Sequence, residues 1–136
     1  MTTQFADTAY YIALLNRDDE FHAQAEELAK ELPGRIVTTT WVLTELADAM
    51  SQPRNRLVVS SFIEALPSDP NIILVRAEQD LFNRGLEFFA RRLDKEWSLT
   101  DCISFIVMQE NKLADALTSD HHFEQAGFNV LLKQQR

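Results

Sequence analysis

The sequence holds a single cysteine, Cys102, so no intramolecular disulfide can form, and no Cys/His cluster has the spacing of a zinc site. Glycine and proline are scarce, three and four respectively, and no internal repeat, low-complexity tract or linker interrupts the chain. No apolar run approaches the roughly 20 residues needed to span a bilayer. The start, Met1-Thr2-Thr3-Gln4-Phe5, lacks the basic and apolar regions of a signal peptide. A cytoplasmic protein with no membrane attachment is expected. Positive charge is also short: 13 Lys and Arg against 21 Asp and Glu leave a net charge of −8, which disfavours the uniformly basic surface of a duplex-coating protein. What is present is apolar bulk. With 46% hydrophobic residues, nine Phe and two Trp in 136 positions, the chain can offset its ordering entropy, and global disorder is ruled out. The length suits one domain spanning residues 1–136.

Two breaks punctuate the chain, Pro33-Gly34 and Pro67-Ser68-Asp69-Pro70. Before the first, Phe21, Ala25, Leu28 and Leu32 fall on one helical face. Arg35 to Thr38 is short and β-branched, and Thr39 to Met50 carries the helix formers Leu43, Leu46 and Ala47. A further helix from about Arg54 to Leu66 groups Val58, Val59, Phe62, Ile63 and Leu66 on one side and ends at Pro67. Ile72 to Val75 is a continuous apolar run, the pattern of a strand covered on both faces. Phe82, Leu86, Phe89 and Leu93 mark another helix. Ser98-Leu99-Thr100-Asp101 has capping-box spacing ahead of Cys102 to Met108, which is apolar nearly all round and so predicts a buried helix. A short helix from Asp120 to Ala126 ends at Gly127. Strands at Thr3–Ala6, Arg35–Thr38, Ile72–Val75, Ala114–Thr118 and Phe128–Leu132 thus alternate with helices, which predicts an α/β domain with a mainly parallel central sheet.

In such a sheet, ligands bind beyond the carboxyl ends of the strands. Asp7 follows the first strand, Asp120 follows the fourth, Asp101 lies in the first turn of the buried helix, and Glu45 lies within the helix after the second strand. Two like charges about 4 Å apart repel by roughly 4 kcal/mol at an effective dielectric of about 20, so four converging acids call for a bound cation or a retained proton. Oxygen-only ligation points to Mg²⁺ or Mn²⁺. The bland alternative is that Asp7, Asp101 and Asp120 cap the helices they precede or begin, and that Glu45 sits on a solvated helix face. Spacing does not choose between the two.

Four segments do more. Phe5-Ala6-Asp7-Thr8-Ala9-Tyr10-Tyr11-Ile12-Ala13-Leu14-Leu15, Thr44-Glu45, Ser98-Leu99-Thr100-Asp101-Cys102-Ile103-Ser104-Phe105 and the stretch from Leu117-Thr118-Ser119-Asp120-His121-His122 to Phe128 together resemble a PIN domain of the VapC-like type. The resemblance covers essentially the whole chain. It implies a three-layer α/β/α sandwich and a divalent-metal-dependent ribonuclease. It places the family's four acids on Asp7, Glu45, Asp101 and Asp120, with Thr8 and Thr118 as supporting hydroxyls. It also implies hydrolysis to a 5′-phosphate and a 3′-hydroxyl, a toxin of a toxin-antitoxin pair with a small antitoxin as partner, and a homodimer. Asp94 and Glu96 match no ligand position and are expected on the surface or as supporting residues behind the ligands; Asp115 has no family role.

RNA must approach an acidic centre, so a rim of cations is required. Arg54 and Arg56 form one candidate group, and Arg91, Arg92 and Lys95 form the other. His121 and His122 are explained as exposed loop residues, His22 as solvated, Trp97 as core and Cys102 as buried and inert. A phosphoacceptor receiver needs an Asp at the end of the central strand, yet Ile72 to Val75 is followed by Arg76-Ala77. A haloacid-type phosphatase needs a second Asp at position 9, which is Ala9. The remaining rival is a non-catalytic PIN fold that binds RNA or protein.

Overall fold

The computed structural model describes residues 2–31 and 34–134. Leu32 and Pro33, expected at the end of one helix and in the first break, lie outside the described residues. Five strands are present: β1 (Thr3–Ala6), β2 (Arg35–Thr39), β3 (Ile72–Val75), β4 (Asp115–Leu117) and β5 (Asn129–Val130). They pair in the order β3-β2-β1-β4-β5, every neighbour parallel. Between them run α1 (Thr8–Leu15), α2 (His22–Glu31), α3 (Thr40–Ala49), α4 (Pro53–Ala65), α5 (Gln79–Arg91), α6 (Leu99–Glu110) and α7 (His121–Gln125). The chain leaves β1 towards β2 and β3, then crosses back to β4 and β5. Parallel crossovers are right-handed, so the two directions of travel put α1 to α4 on one face and α5 to α7 on the other. The helix contacts agree: α1 packs on α2 and α3, α3 on α4, α5 on α6, and α6 on α7. This is the expected three-layer α/β/α sandwich.

The reversal of direction falls between β1 and β4, where Ala6 pairs with Leu117 and the Asp7 amide donates to the Leu117 carbonyl at 3.1 Å. A crevice opens at such a point because the helices that follow the two strands depart to opposite faces. Its floor is fixed by side chains that leave no slack. The Thr38 hydroxyl donates to the Ala6 carbonyl at 2.9 Å inside the sheet, and Thr39 caps α3 by accepting from the Val42 amide. On the other face, α6 is buried from Asp101 through Phe105 and again at Val107 and Met108. Phe105 is its anchor: its ring centroid lies 4.9 Å from Phe123, 5.0 Å from Trp97 and 5.7 Å from Phe128. The first two are edge-to-face, and aromatic pairs of this kind add about 0.5–1.5 kcal/mol each beyond the area they bury. They fix α7, β5 and the approach to α6 relative to one another.

Several expectations are corrected. β3 is not covered on both faces; it is an edge strand and Ile73 is exposed. On α4, Val59 is buried but Val58 is exposed, and the α-helix stops at Ala65 with Pro67 inside a short 3₁₀ turn. On α5 the buried residues are Leu81 and Gly85 with Phe88 half-buried, while Leu86, Phe89 and Leu93 face outward. Gly85 explains the rotation. A Cβ there would lie 2.3 Å from Ile103 Cγ1, so the absence of a side chain lets α5 sit directly against α6.

Gly85→Ala therefore sets a helix-propensity gain of about 1 kcal/mol against overpacking of about 1–3 kcal/mol. A lower urea midpoint is expected. A raised midpoint would show that the α5–α6 contact yields easily.

Candidate metal centre

Each of the four acids is placed by a different element. Asp7 is the residue between β1 and α1, yet its side chain caps no amide of the helix. Instead Asp7 Oδ2 accepts from the Thr118 hydroxyl at 2.8 Å, across the β1–β4 junction. Thr118 in turn accepts from the Asp120 amide at 3.1 Å, so one threonine ties the first acid to the fourth. On the facing helix, Thr8 donates to Glu45 Oε1 at 2.6 Å. Both threonines singled out as supports thus hold an acid, Thr8 the second and Thr118 the first.

Asp101 occupies the third position of a capping box: its amide donates to Ser98 Oγ at 3.0 Å, and its Oδ2 accepts from the Ser98 amide at 3.2 Å. Asp120 caps α7 by accepting from the His122 amide at 2.9 Å. Capping and convergence are therefore compatible, because the helix amino termini themselves point at the crevice. A residue the sequence reasoning missed completes this side. His122 is half-buried, with Nδ1 3.1 Å from Asp101 Oδ2 and 3.5 Å from Asp120 Oδ1. Its one sequence signal was its place two residues after a capping Asp, which holds it in the first turn of a helix aimed at the site. His121 is exposed, as expected.

The electrostatics are those of crowded acids. Burial, with smaller contributions from Asp101 and Glu45, pushes the Asp7 carboxyl up to about 7 against the pull of the Thr118 hydroxyl and the Thr8 amide. Burial and then the neighbouring Asp120 also raise Asp101, while His122 and the Ser98 amide oppose the rise. Asp7 is 4% exposed and its Oδ1 has no hydrogen-bond partner. Among the described residues, no Lys or Arg nitrogen lies within 4 Å of any of the four carboxylates. A buried carboxylate oxygen without a donor, surrounded by other acids and no protein cation, fits a divalent ion. The four carboxylates are not drawn into one tight shell. Among the described residues, the set of three potential ligands whose donor atoms lie within 4.8 Å of one another is Asp120, His121 and His122.

The basic candidates separate. Arg92 makes a two-pronged contact to Asp94, at 2.9 and 3.0 Å, which holds that exposed acid at about 2, and its guanidinium lies 4.7 Å from the Trp97 ring centroid. Lys95 Nζ lies 5.8 Å from the same centroid, and Arg91 is exposed on α5. Trp97 directly precedes the Ser98 cap, so Arg92 and Lys95 flank the α6 terminus that carries Asp101. Arg54 instead lines a cleft of about 490 Å³ at the far ends of α1 and α3, and Arg56 donates to the Ser51 carbonyl. Trp97 is core, as expected, and its indole N–H donates to Gln125 at 3.0 Å. Cys102 is buried and its thiol is pushed up to about 11, which leaves it unreactive. Asp115 accepts from Asn129 and so pins β5 to β4. His22 is not simply solvated: its Nδ1–H donates to the Ala13 carbonyl at 2.7 Å and ties α2 to α1.

A family model described as the PIN domain matches residues 5–129, and the chain belongs to that family. Over 125 residues it is 30% identical to the 23S rRNA-specific endonuclease VapC20 of Mycobacterium tuberculosis, spanning 91% of this chain and 94% of that protein. The crystal structure of Mycobacterium tuberculosis VapC20, a sarcin-ricin loop cleaving toxin, matches with a TM-score of 0.83 at 25% identity over 93% of this chain and 96% of that one. VapBC2 from Rickettsia felis, solved with a DNA fragment from its promoter, shares the fold, with a TM-score of 0.64 at 13% identity over 95% and 97% of the two chains.

The raised Asp7 has a consequence for stability. Between pH 3.8 and about 7 the folded chain keeps a proton that the unfolded chain has released, so the parent loses stability as pH rises through that window. In chelator, Asp7→Asn should be more stable than the parent above pH 7, by up to about 4 kcal/mol, with the gain vanishing near pH 4. Parallel denaturation series across that range check it; a constant difference would contradict the assignment.

Proposed function

We infer that this protein is a divalent-metal-dependent endoribonuclease, working as one domain, and the toxin of a toxin-antitoxin pair. The observation that carries the reading is the orphaned, buried Oδ1 of Asp7 among Glu45, Asp101 and Asp120, in a PIN-family chain related to an rRNA endonuclease. Mg²⁺ or Mn²⁺ held by these carboxylates supplies two things: an easier loss of a proton from water, and an offset for charge on the phosphate oxygens. The chain's own residues supply position. Thr118 fixes Asp7, Thr8 fixes Glu45, and the Ser98 amide and His122 fix Asp101, so the carboxylates need little reorganisation when the substrate arrives. Hydrolysis by water leaves a 5′-phosphate and a 3′-hydroxyl.

The substrate class follows from charge and shape. A net charge of −8 is too acidic to grip a long duplex, so a short exposed stretch such as an RNA loop suits the site. Arg92 and Lys95 stand beside the Asp101 terminus and, with Arg91 at the end of α5, are the cations offered to its phosphates. Arg54 and Arg56 lie in the first turn of α4, beside the far ends of α1 and α3, and would meet a more distant part of the RNA. An antitoxin that covers the carboxylates and a second copy of the chain are the partners of this reading. Exposed Leu57, Val58, Leu86, Phe89 and Leu93 offer apolar surface for such contacts.

Purified protein freed of any partner should cut a subset of cellular RNAs with Mg²⁺ or Mn²⁺, leave 5′-phosphates and stop in chelator. Asp7→Asn should lower the rate at least 100-fold while the fold persists. Cutting that survives chelator or this substitution would contradict the reading. Inactivity of folded, metal-loaded protein on total RNA would favour a non-catalytic binding module.

A further inference from the structure

We propose that His122 is itself a ligand of the bound metal, giving a mixed nitrogen and oxygen site that favours first-row transition ions over Mg²⁺. The inference rests on the metal site proposed above and deepens it, since the pattern of four acids contains no nitrogen donor. The geometry begins with the ring. His122 Nδ1 faces the same two carboxylates, Asp101 and Asp120, that form one half of the site, at 3.1 and 3.5 Å. The ring is held there from two directions, by the His122 amide bonded to Asp120 Oδ1 and by the His121 ring at 4.6 Å between centroids. Asp120, His121 and His122 already bring their donor atoms within 4.8 Å of one another. An independent observation points to the same centre: buried Asp7 Oδ1 has no partner, and the Thr118 hydroxyl bonds both Asp7 Oδ2 and the Asp120 amide.

An imidazole nitrogen that touches two carboxylates has two uses. As Nδ1–H it is a hydrogen-bond donor that quiets their repulsion; as a bare nitrogen it is a ligand for an ion those carboxylates hold. A change of tautomer moves the ring between these uses with no change of charge. Mg²⁺ keeps to oxygen donors and water, whereas first-row ions accept imidazole with affinity that rises from Mn²⁺ onward. His121 is exposed and lies 3.8 Å from Asp120 alone, so it is the natural control.

Mn²⁺-loaded full-length protein, studied by pulsed electron paramagnetic resonance, provides a readout independent of turnover. The parent should show ¹⁴N modulation that changes on ¹⁵N-histidine labelling. His121→Ala should keep the modulation. His122→Ala should lose it while still binding Mn²⁺, with the preference for Mn²⁺ over Mg²⁺ reduced about tenfold. Bound Mn²⁺ without ¹⁴N modulation in the parent overturns this proposal alone and needs no variant to fold. Modulation that persists in His122→Ala overturns it as well. Failure of the parent to bind Mn²⁺ overturns the metal site and this proposal together.

Discussion

A carboxylate buried without a full set of donors is the constraint around which this structure is arranged. Asp7 stands where the sheet reverses direction, with one oxygen held by Thr118 and the other without a partner. Taking a charged carboxylate out of water costs several kcal/mol unless something compensates. Protein cations do not: among the described residues none reaches the four acids. The compensation is left to a proton or to a bound ion, and that choice couples stability to function.

The rest of the fold absorbs the cost and keeps the acids in place. Helix α6 brings Asp101 to the crevice because its aromatic anchor, Phe105, is locked among Trp97, Phe123 and Phe128. Phe123 belongs to α7, so the same cluster positions Asp120 and His122. Across the sheet, Thr38 and Thr39 fix the start of α3 and hence Glu45. Gly85 lets α5 lie close against α6 from outside. Core packing thereby fixes the elements that carry these acids.

Much of this was legible in the sequence. Strands β1 and β3 fall where β-branched and apolar runs placed them, and the alternation with helices gave the parallel sheet. What escaped was non-local. Ile72 to Val75 reads as a doubly covered strand, but its place at the edge is set by crossovers that no local pattern reports. On α5, Phe82, Leu86, Phe89 and Leu93 form a better hydrophobic stripe than Leu81, Gly85 and Phe88, because a glycine carries no apolar signal even when closeness is its purpose. At the site, Asp7 and Asp120 were visible as acids after strands, and Glu45 as an acid within the helix that follows β2. His122 was invisible, since its role depends on Asp101, 21 residues upstream, arriving beside it.

The proposed function requires acids from four separate elements to act as one metal site. Calorimetric titration with Mn²⁺ of the parent, Asp7→Asn and Asp101→Asn tests it most directly, because these two acids come from opposite faces of the sheet. Saturable binding in the parent and at least tenfold weaker binding in both variants are expected. Equal affinity in all three proteins would contradict a shared site.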